Sequence, residues 1–130
     1  MSKVLGLDYG TKRVGVAVSD ESRTFAREIG IWQAEVFFTQ LETFLNENKD
    51  IGQIVVGLPL NMSGGDTKKT EEARSFASHV EKKSGILTAL ADERLTSSMA
   101  RNLPGGSANI DSLAAQIILQ TYLDQQKQNE

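Results

Sequence analysis

Four acids stand at the edges of apolar runs, where side-chain chemistry is easily built. Asp8 closes the first run in "VLGLDYGTKR", Asp92 and Glu93 close a later one in "ILTALADER", and Asp111 opens the stretch "IDSLAAQIILQTYL". Ligands of α/β sheets bind beyond the carboxyl ends of parallel strands. If the strands ending at Asp8 and at Asp92–Glu93 are parallel, their acids share one rim. A final helix opening at Asp111 must pack back on the sheet, and Ala114 and Ala115 let it approach closely, so Asp111 is expected to lean over the same rim. Gathered carboxylates repel, and they cost several kcal/mol if buried unpaired. A hard divalent cation relieves that cost, and carboxylate oxygens suit Mg²⁺ or Mn²⁺. Such ions with a phosphate ester make an apparatus for phosphodiester cleavage, one ion activating water and a second stabilising the leaving oxygen.

Each acid also has a plainer reading. Asp8 alone is compatible with a turn residue, and Asp111 with a helix N-cap or first-turn acid. Asp92 and Glu93 beside Arg94 are compatible with a surface ion cluster of little energetic worth. The case for chemistry is their joint placement. His79 falls beside a core stripe and is expected to be exposed, without a role. Trp32 and Met62 read as packing residues.

The positioning elements follow from periodicity. Lys3–Leu7 reads as a buried strand, and Arg13–Asp20 alternates Val14, Val16 and Val18 with small residues as a second. "YGTK" is the hairpin-type turn between them. Arg27–Trp32 is a third strand. Phe37, Leu41, Phe44 and Leu45 then mark one face of a helix within Ala34–Asn48. "QIVVGLP", Gln53–Pro59, is a central strand stopped by proline, and a polar loop runs from Asn61 to Thr70. Ala73, Phe76, Ala77 and Val80 form the stripe of a helix over Glu71–Lys83. Ile86–Arg94 is a strand ending in charges, "TSSMARNL" a short helix, and Pro104–Asn109 a loop. The last helix is expected over Ile110–Gln126, with Leu113, Ala114, Ile117, Ile118 and Tyr122 toward the core. The order β-β-β-α-β-α-β-α-α predicts a mixed α/β sheet with helices on both faces.

The 130 residues fit one domain, 1–130, and the composition, 39% hydrophobic and 24% charged, is that of a globular chain. The chain has no cysteine, which excludes disulfides, Cys-ligated zinc and a thiol nucleophile, and its one histidine leaves little for His-based metal sites. No apolar stretch is long enough for a membrane span, and "MSKVLGLDYG" enters a strand pattern without signal-peptide features; a cytoplasmic location with no membrane partner is expected. A net charge of −3 argues against tight nonspecific binding to phosphate backbones.

Four motifs in order, "LDYGTKRVGVAVSD" (Leu7–Asp20), "IVVGLPLNMSG" (Ile54–Gly64), "DERLTS" (Asp92–Ser97) and "DSLAAQIILQTYL" (Asp111–Leu123), give the chain a resemblance to the bacterial YqgF/RuvX family of Holliday-junction-resolvase-like proteins. The resemblance covers nearly the whole chain. It implies an RNase H-like fold with a mixed five-stranded sheet, and a metal-dependent nuclease site of Asp8, Glu93 and Asp111 holding Mg²⁺ or Mn²⁺, two ions when substrate is bound. It implies processing of the 5′ end of precursor 16S ribosomal RNA, with junction resolution as the older alternative. Nucleic acid is then the partner, RNA favoured over DNA, together with ribosomal precursor particles. Thr11, Lys12 and Arg13 beside Asp8, Asn61 after "GLPL", and Arg94 and Thr96 after Glu93 are the candidate phosphate or substrate contacts.

The sequence departs from the family in two places. Many relatives carry a longer Lys- and Arg-rich segment before the last aspartate, where this chain has "SSMARNLPGGSANI" with one arginine. The wider resolvase group has a carboxylate after the strand equivalent to "IVVGL", where this chain has Pro59, Leu60 and Asn61, so Glu93 would supply that ligand from the neighbouring strand. The same rim also suits a binding module that recognises structured RNA or a protein without turnover. "LDYGTKRVGVAV" further resembles the phosphate-binding hairpin of actin-like and sugar kinases, which use two such domains. A junction resolvase needs a dimer to make paired cuts, and no stripe is left over to assign an oligomeric state.

Overall fold

A computed structural model describes residues 2–59, 65–92 and 110–128, the last segment with its side chains from 113 onward. Five strands are present: β1 (Lys3–Asp8), β2 (Arg13–Ser19), β3 (Ala26–Gln33), β4 (Ile51–Leu58) and β5 (Thr88–Asp92). They form one sheet in the order β3-β2-β1-β4-β5. The β1–β2 and β2–β3 pairs are antiparallel, whereas β1–β4 and β4–β5 are parallel. Among the described residues the helices are α1 (Phe37–Glu47), entered through a 3₁₀ turn at Ala34–Val36, α2 (Lys68–Ser84) and α3 (Ile110–Gln128). The mixed α/β architecture with helices on both faces is the one the sequence predicts. The helix expected over Thr96–Leu103 lies outside the described residues.

Strand alternation divides the core. Leu5, Leu7, Val14, Val16, Ile54 and Val56 face α1 and α2, where Phe37, Leu41, Ala77 and Val80 meet them. Val4, Ala17 and Val55 face α3 and pack on Ala115, Ile118, Leu119 and Leu123. The expected stripe on α3 is therefore corrected. Ala115, Leu119 and Leu123 are fully or nearly fully buried, whereas Leu113, Ile117 and Tyr122 are half-buried. A helix apolar over most of its circumference has no unique face by periodicity, and here the sheet selects it. A Cβ on Gly6 would lie 2.8 Å from the Leu119 Cβ and 3.4 Å from the Ala115 carbonyl oxygen.

Two boundaries also move. α2 begins at Lys68 rather than Glu71, because Thr67 and Thr70 form a reciprocal cap. β5 begins at Thr88 rather than Ile86, because α2 ends at Gly85 in the left-handed conformation, φ 70°.

At the amino end of β1 a polar lattice fixes the direction of α3. Gln53 Nε2 on β4 donates to the Tyr122 hydroxyl at 2.9 Å, and Gln120 bridges the Thr24 carbonyl and the Ala26 N–H at 2.8 and 2.9 Å. The carboxyl half of α3 thus lies at the amino ends of β1 and β4, and its first turn lies toward their carboxyl ends. In the adjoining turn the Asp20 carboxylate accepts from the N–H groups of Thr24 (2.8 Å) and Phe25 (3.2 Å) and from the Ser22 hydroxyl (3.0 Å).

Two outcomes follow from these contacts. Gly6→Ala is expected to cost about 1–3 kcal/mol through overpacking against α3, read from urea denaturation; an unchanged midpoint would refute the close approach. The backbone donors of Thr24 and Phe25 hold the Asp20 carboxyl below its ordinary 3.8. A depressed folded-state pKa contributes stability that is present above the unfolded value and is lost as pH falls through the folded one. Asp20→Asn should therefore flatten the decline of the denaturation midpoint below about pH 4; parallel profiles would show that these bonds do not stabilise the fold.

Candidate active site at the carboxyl rim of the sheet

β1, β4 and β5 run parallel, so their carboxyl ends form one rim. Leu7 is paired with Val56 and Leu58 with Asp92, which sets Asp8 and Asp92 at nearly the same level. They are two strands apart, about 10 Å at the usual strand spacing. Sharing a rim is not sharing a face. Asp8 has the parity of Val4 and Gly6, which lie under α3, while Asp92 has the parity of Thr88 and Leu90 and is exposed. Ala89 and Ala91, of the other parity, pack in the α3 layer. Asp92 therefore belongs to the face opposite Asp8.

Asp8 is half-buried and its backbone is paired with Gly15 of β2. Asp111 occupies the first turn of α3, one helical turn before Ala115, which seats against Gly6. Since α3 runs opposite to β1, that first turn lies at the end of the sheet where Asp8 stands. Thr11, Lys12 and Arg13 are exposed on the turn beside Asp8. The turn requires glycine at position 10, where a Cβ would lie 2.5 Å from the Arg13 carbonyl oxygen. The Lys12 carbonyl accepts from the Ala34 N–H at 2.9 Å, which ties the turn to the exit of β3. Asn61, Glu93, Arg94 and Thr96 lie outside the described residues. Among the described residues no group of three or more His, Cys, Asp or Glu could hold a metal ion. Two of the three expected ligands, Glu93 and the Asp111 carboxylate, are not among the side chains described. Asp8 itself offers hard oxygen donors at the rim, which suits Mg²⁺ or Mn²⁺.

Sequence reasoning passed over two features that shape this rim. Thr70 is fully buried; its hydroxyl donates to the Pro59 carbonyl and accepts from the Thr67 N–H at 2.9 Å. It thereby clasps the end of β4 to the start of α2, on either side of the loop that carries Asn61. The signal is the pair of threonines in "TKKT". Tyr9, directly after Asp8, packs its ring on Phe76 of α2 at 4.7 Å between centroids. His79 is exposed and its ring lies 4.9 Å from that of Phe38, while Trp32 packs between Phe37 and Phe44, as expected of both.

This sheet order and helix arrangement are those of the RNase H-like fold. Thermus thermophilus RuvC, solved in complex with a Holliday junction substrate, matches with a TM-score of 0.69 and 12% identity, covering 99% of this chain and 97% of that one. The fowlpox virus Holliday junction resolvase matches with a TM-score of 0.57 at 10% identity, covering 95% and 99%. The sequence comparison is narrower. The family described as "RuvX: Holliday junction resolvase" matches residues 2–125, and the chain belongs to that family. A relative from Maridesulfovibrio salexigens is 39% identical, covering 93% of this chain and 97% of its own length, and bears the name "Putative pre-16S rRNA nuclease". One from Thermoanaerobacter pseudethanolicus with the same name is 36% identical, covering 96% and 98%.

Thr70→Val keeps the side-chain volume but leaves the Pro59 carbonyl and the Thr67 N–H without their partner. The expected loss is about 1–3 kcal/mol, read by chemical denaturation. A variant as stable as the parent would show that the clasp does not hold this end of the sheet.

Proposed function

We propose that the chain is a divalent-metal-dependent nuclease that processes the 5′ end of precursor 16S ribosomal RNA in the cytoplasm, acting on ribosomal precursor particles. Membership of the RuvX family and the name borne by its relatives support the activity and the substrate class. The observation that carries the assignment of the site is the seating of Ala115 at Gly6. It brings the first turn of α3, with Asp111, to the end of β1 where Asp8 stands. Asp92 belongs to the face opposite Asp8, which supports the glutamate that the family resemblance implies, Glu93, rather than Asp92, as the third ligand.

In this reading Asp8, Glu93 and Asp111 are the catalytic carboxylates and hold Mg²⁺ or Mn²⁺, two ions once substrate is bound. Such ions supply Lewis acidity toward a phosphoryl oxygen and a water of lowered pKa. The chain's own residues do the positioning. Lys12 and Arg13 offset phosphate charge at the rim, and the Thr11 hydroxyl donates to a phosphate oxygen. Asn61, Arg94 and Thr96 extend the contact along the substrate backbone, with Arg94 suited to two-point contact on a phosphate. Nucleic acid is the partner, RNA in preference to DNA. Holliday junction resolution is the second reading, favoured by the family's own description, and would need two copies of the chain acting together.

End-labelled precursor-like structured RNA, single-stranded RNA and a four-way DNA junction, each incubated with Mn²⁺ or Mg²⁺, test both readings. The parent is expected to cut RNA. Asp8→Asn, Glu93→Gln and Asp111→Asn should each reduce cleavage to the level without metal, while Asp92→Asn should cut as the parent does. Full activity of Asp111→Asn would return that residue to its helix-capping role, and cleavage of the junction alone would favour resolution.

A further inference from the structure

Behind the rim, on the side of the sheet away from α3, Tyr9 opens a groove. Its ring meets Phe76 on α2, and Phe38 on α1 lies against both Phe76 (6.2 Å) and His79 (4.9 Å). With Lys68 and Ser75 these rings line an open depression of about 480 Å³. Ser75 and His79 also line the next depression, about 440 Å³, which reaches Lys82 and Lys83 in the last turn of α2. The two make one path along the outer side of α2, spanning about 21 Å from Lys68 to Lys82 at the rise of a helix. Ala73, Ala77 and Val80 hold α2 to the core. Tyr9, Phe38 and Phe76 remain half-exposed, and His79, Lys82 and Lys83 are exposed.

We propose that this groove is a track for a single-stranded flank of the nucleic-acid substrate, its bases stacking on Tyr9, Phe38 and His79 and its phosphates reaching Lys82 and Lys83. The proposal rests on the nuclease reading and names the form of substrate that reading leaves open. Three observations carry it. Asp8 ends β1 with the parity of Val4 and Gly6, and Tyr9 follows it and packs on Phe76 of α2, so a chain crossing the rim meets the acid on one side and the aromatic groove on the other. Unpaired bases expose flat faces that stack on aromatic rings without regard to sequence, whereas a duplex hides them. The charges along the groove are graded. Near Tyr9 the wall carries Glu71 and Glu72 against the single cation Lys68, a net negative end that leaves contact there to base faces, while Lys82 and Lys83 stand at the far end.

The test is binding of the full chain, with EDTA present so that nothing is cut, to labelled unstructured oligouridylate, oligodeoxythymidylate and a blunt duplex. The parent should bind both single strands more tightly than the duplex. His79→Ala should weaken single-strand binding by about fivefold or more, and His79→Tyr should retain it. Lys82→Gln with Lys83→Gln should lower the slope of log affinity against log salt by about 1.4. Duplex binding should not change in any of these variants. Equal affinity of the parent for duplex and single strand would overturn the track, and so would parental single-strand binding by His79→Ala. Binding through these residues without any cleavage by the parent would uphold the track and refute the nuclease. Cleavage with single-strand binding indifferent to them would do the reverse.

Discussion

Gly6 lies beneath Ala115 and Leu119, and the space a Cβ would need is taken by Leu119, 2.8 Å away. Carbon atoms in contact settle at about 3.5–4.0 Å, so α3 sits closer to β1 than any residue other than glycine permits. The small residue at the tightest point is Gly6 itself, with Ala17 on β2 and Ala115 on α3 as the other small residues of a layer that Ile118, Leu119 and Leu123 fill. That fit seats the helix in one place. The polar contacts at the opposite end fix its direction: Tyr122 is held by Gln53, Gln120 by the backbone at Thr24 and Ala26, and Gln53 in turn by Arg23. A helix seated at Gly6 and tied at its far half has little freedom in where its first turn falls. Asp111 is in that turn.

The sheet uses both faces of its rim. Alternation gives Asp8 to the layer under α3 and gives Tyr9 the company of Phe76 on the other side. It also separates Asp92 from Asp8, although they stand only one residue apart in level, two strands away. The loop between β4 and α2 is clasped at its ends by Thr70, and the turn between β1 and β2 is held by Gly10 and by the bond from Ala34 to Lys12. Each of these connections is bonded to regular structure at a specific residue. That is how the chain keeps polar side chains at a defined rim.

The strands and the mixed sheet were legible because the chain alternates cleanly in β1 and β2, and because the β-branched run "QIVV" in β4 has no helical reading. The seating of α3 was not legible, because Leu113, Ile117 and Tyr122 are as apolar as the residues that are buried; the choice among them is made by Gly6 on another element. The start of α2 was missed because Thr70 caps through a buried hydroxyl in place of the Glu or Gln of the usual box. In the site, Asp8 and Asp111 could be brought to one rim by topology alone. That Asp92 faces away from Asp8 could not be read, since it depends on the register Leu58–Asp92 and on which strand residues pack under α3. Tyr9 was passed over because an aromatic next to an acid in a turn has no periodic signature.

A chain of net charge −3 that handles a polyanion must avoid presenting its acids to phosphate. Near Asp8, the proposed divalent ions with the neighbouring Lys12 and Arg13 would meet that need, and the acids there would become a reason for phosphate to bind. Away from the rim, a chain with net negative charge does not favour a duplex, whose phosphates face outward on all sides. A single strand can turn its bases toward the protein and its phosphates away. Interaction through flat aromatic faces is then insensitive to the sign of nearby charge, and a few cations placed at one end suffice to direct the backbone. An acidic nuclease with aromatic rings beside its rim therefore has an electrostatic reason to take hold of its substrate by an unpaired end.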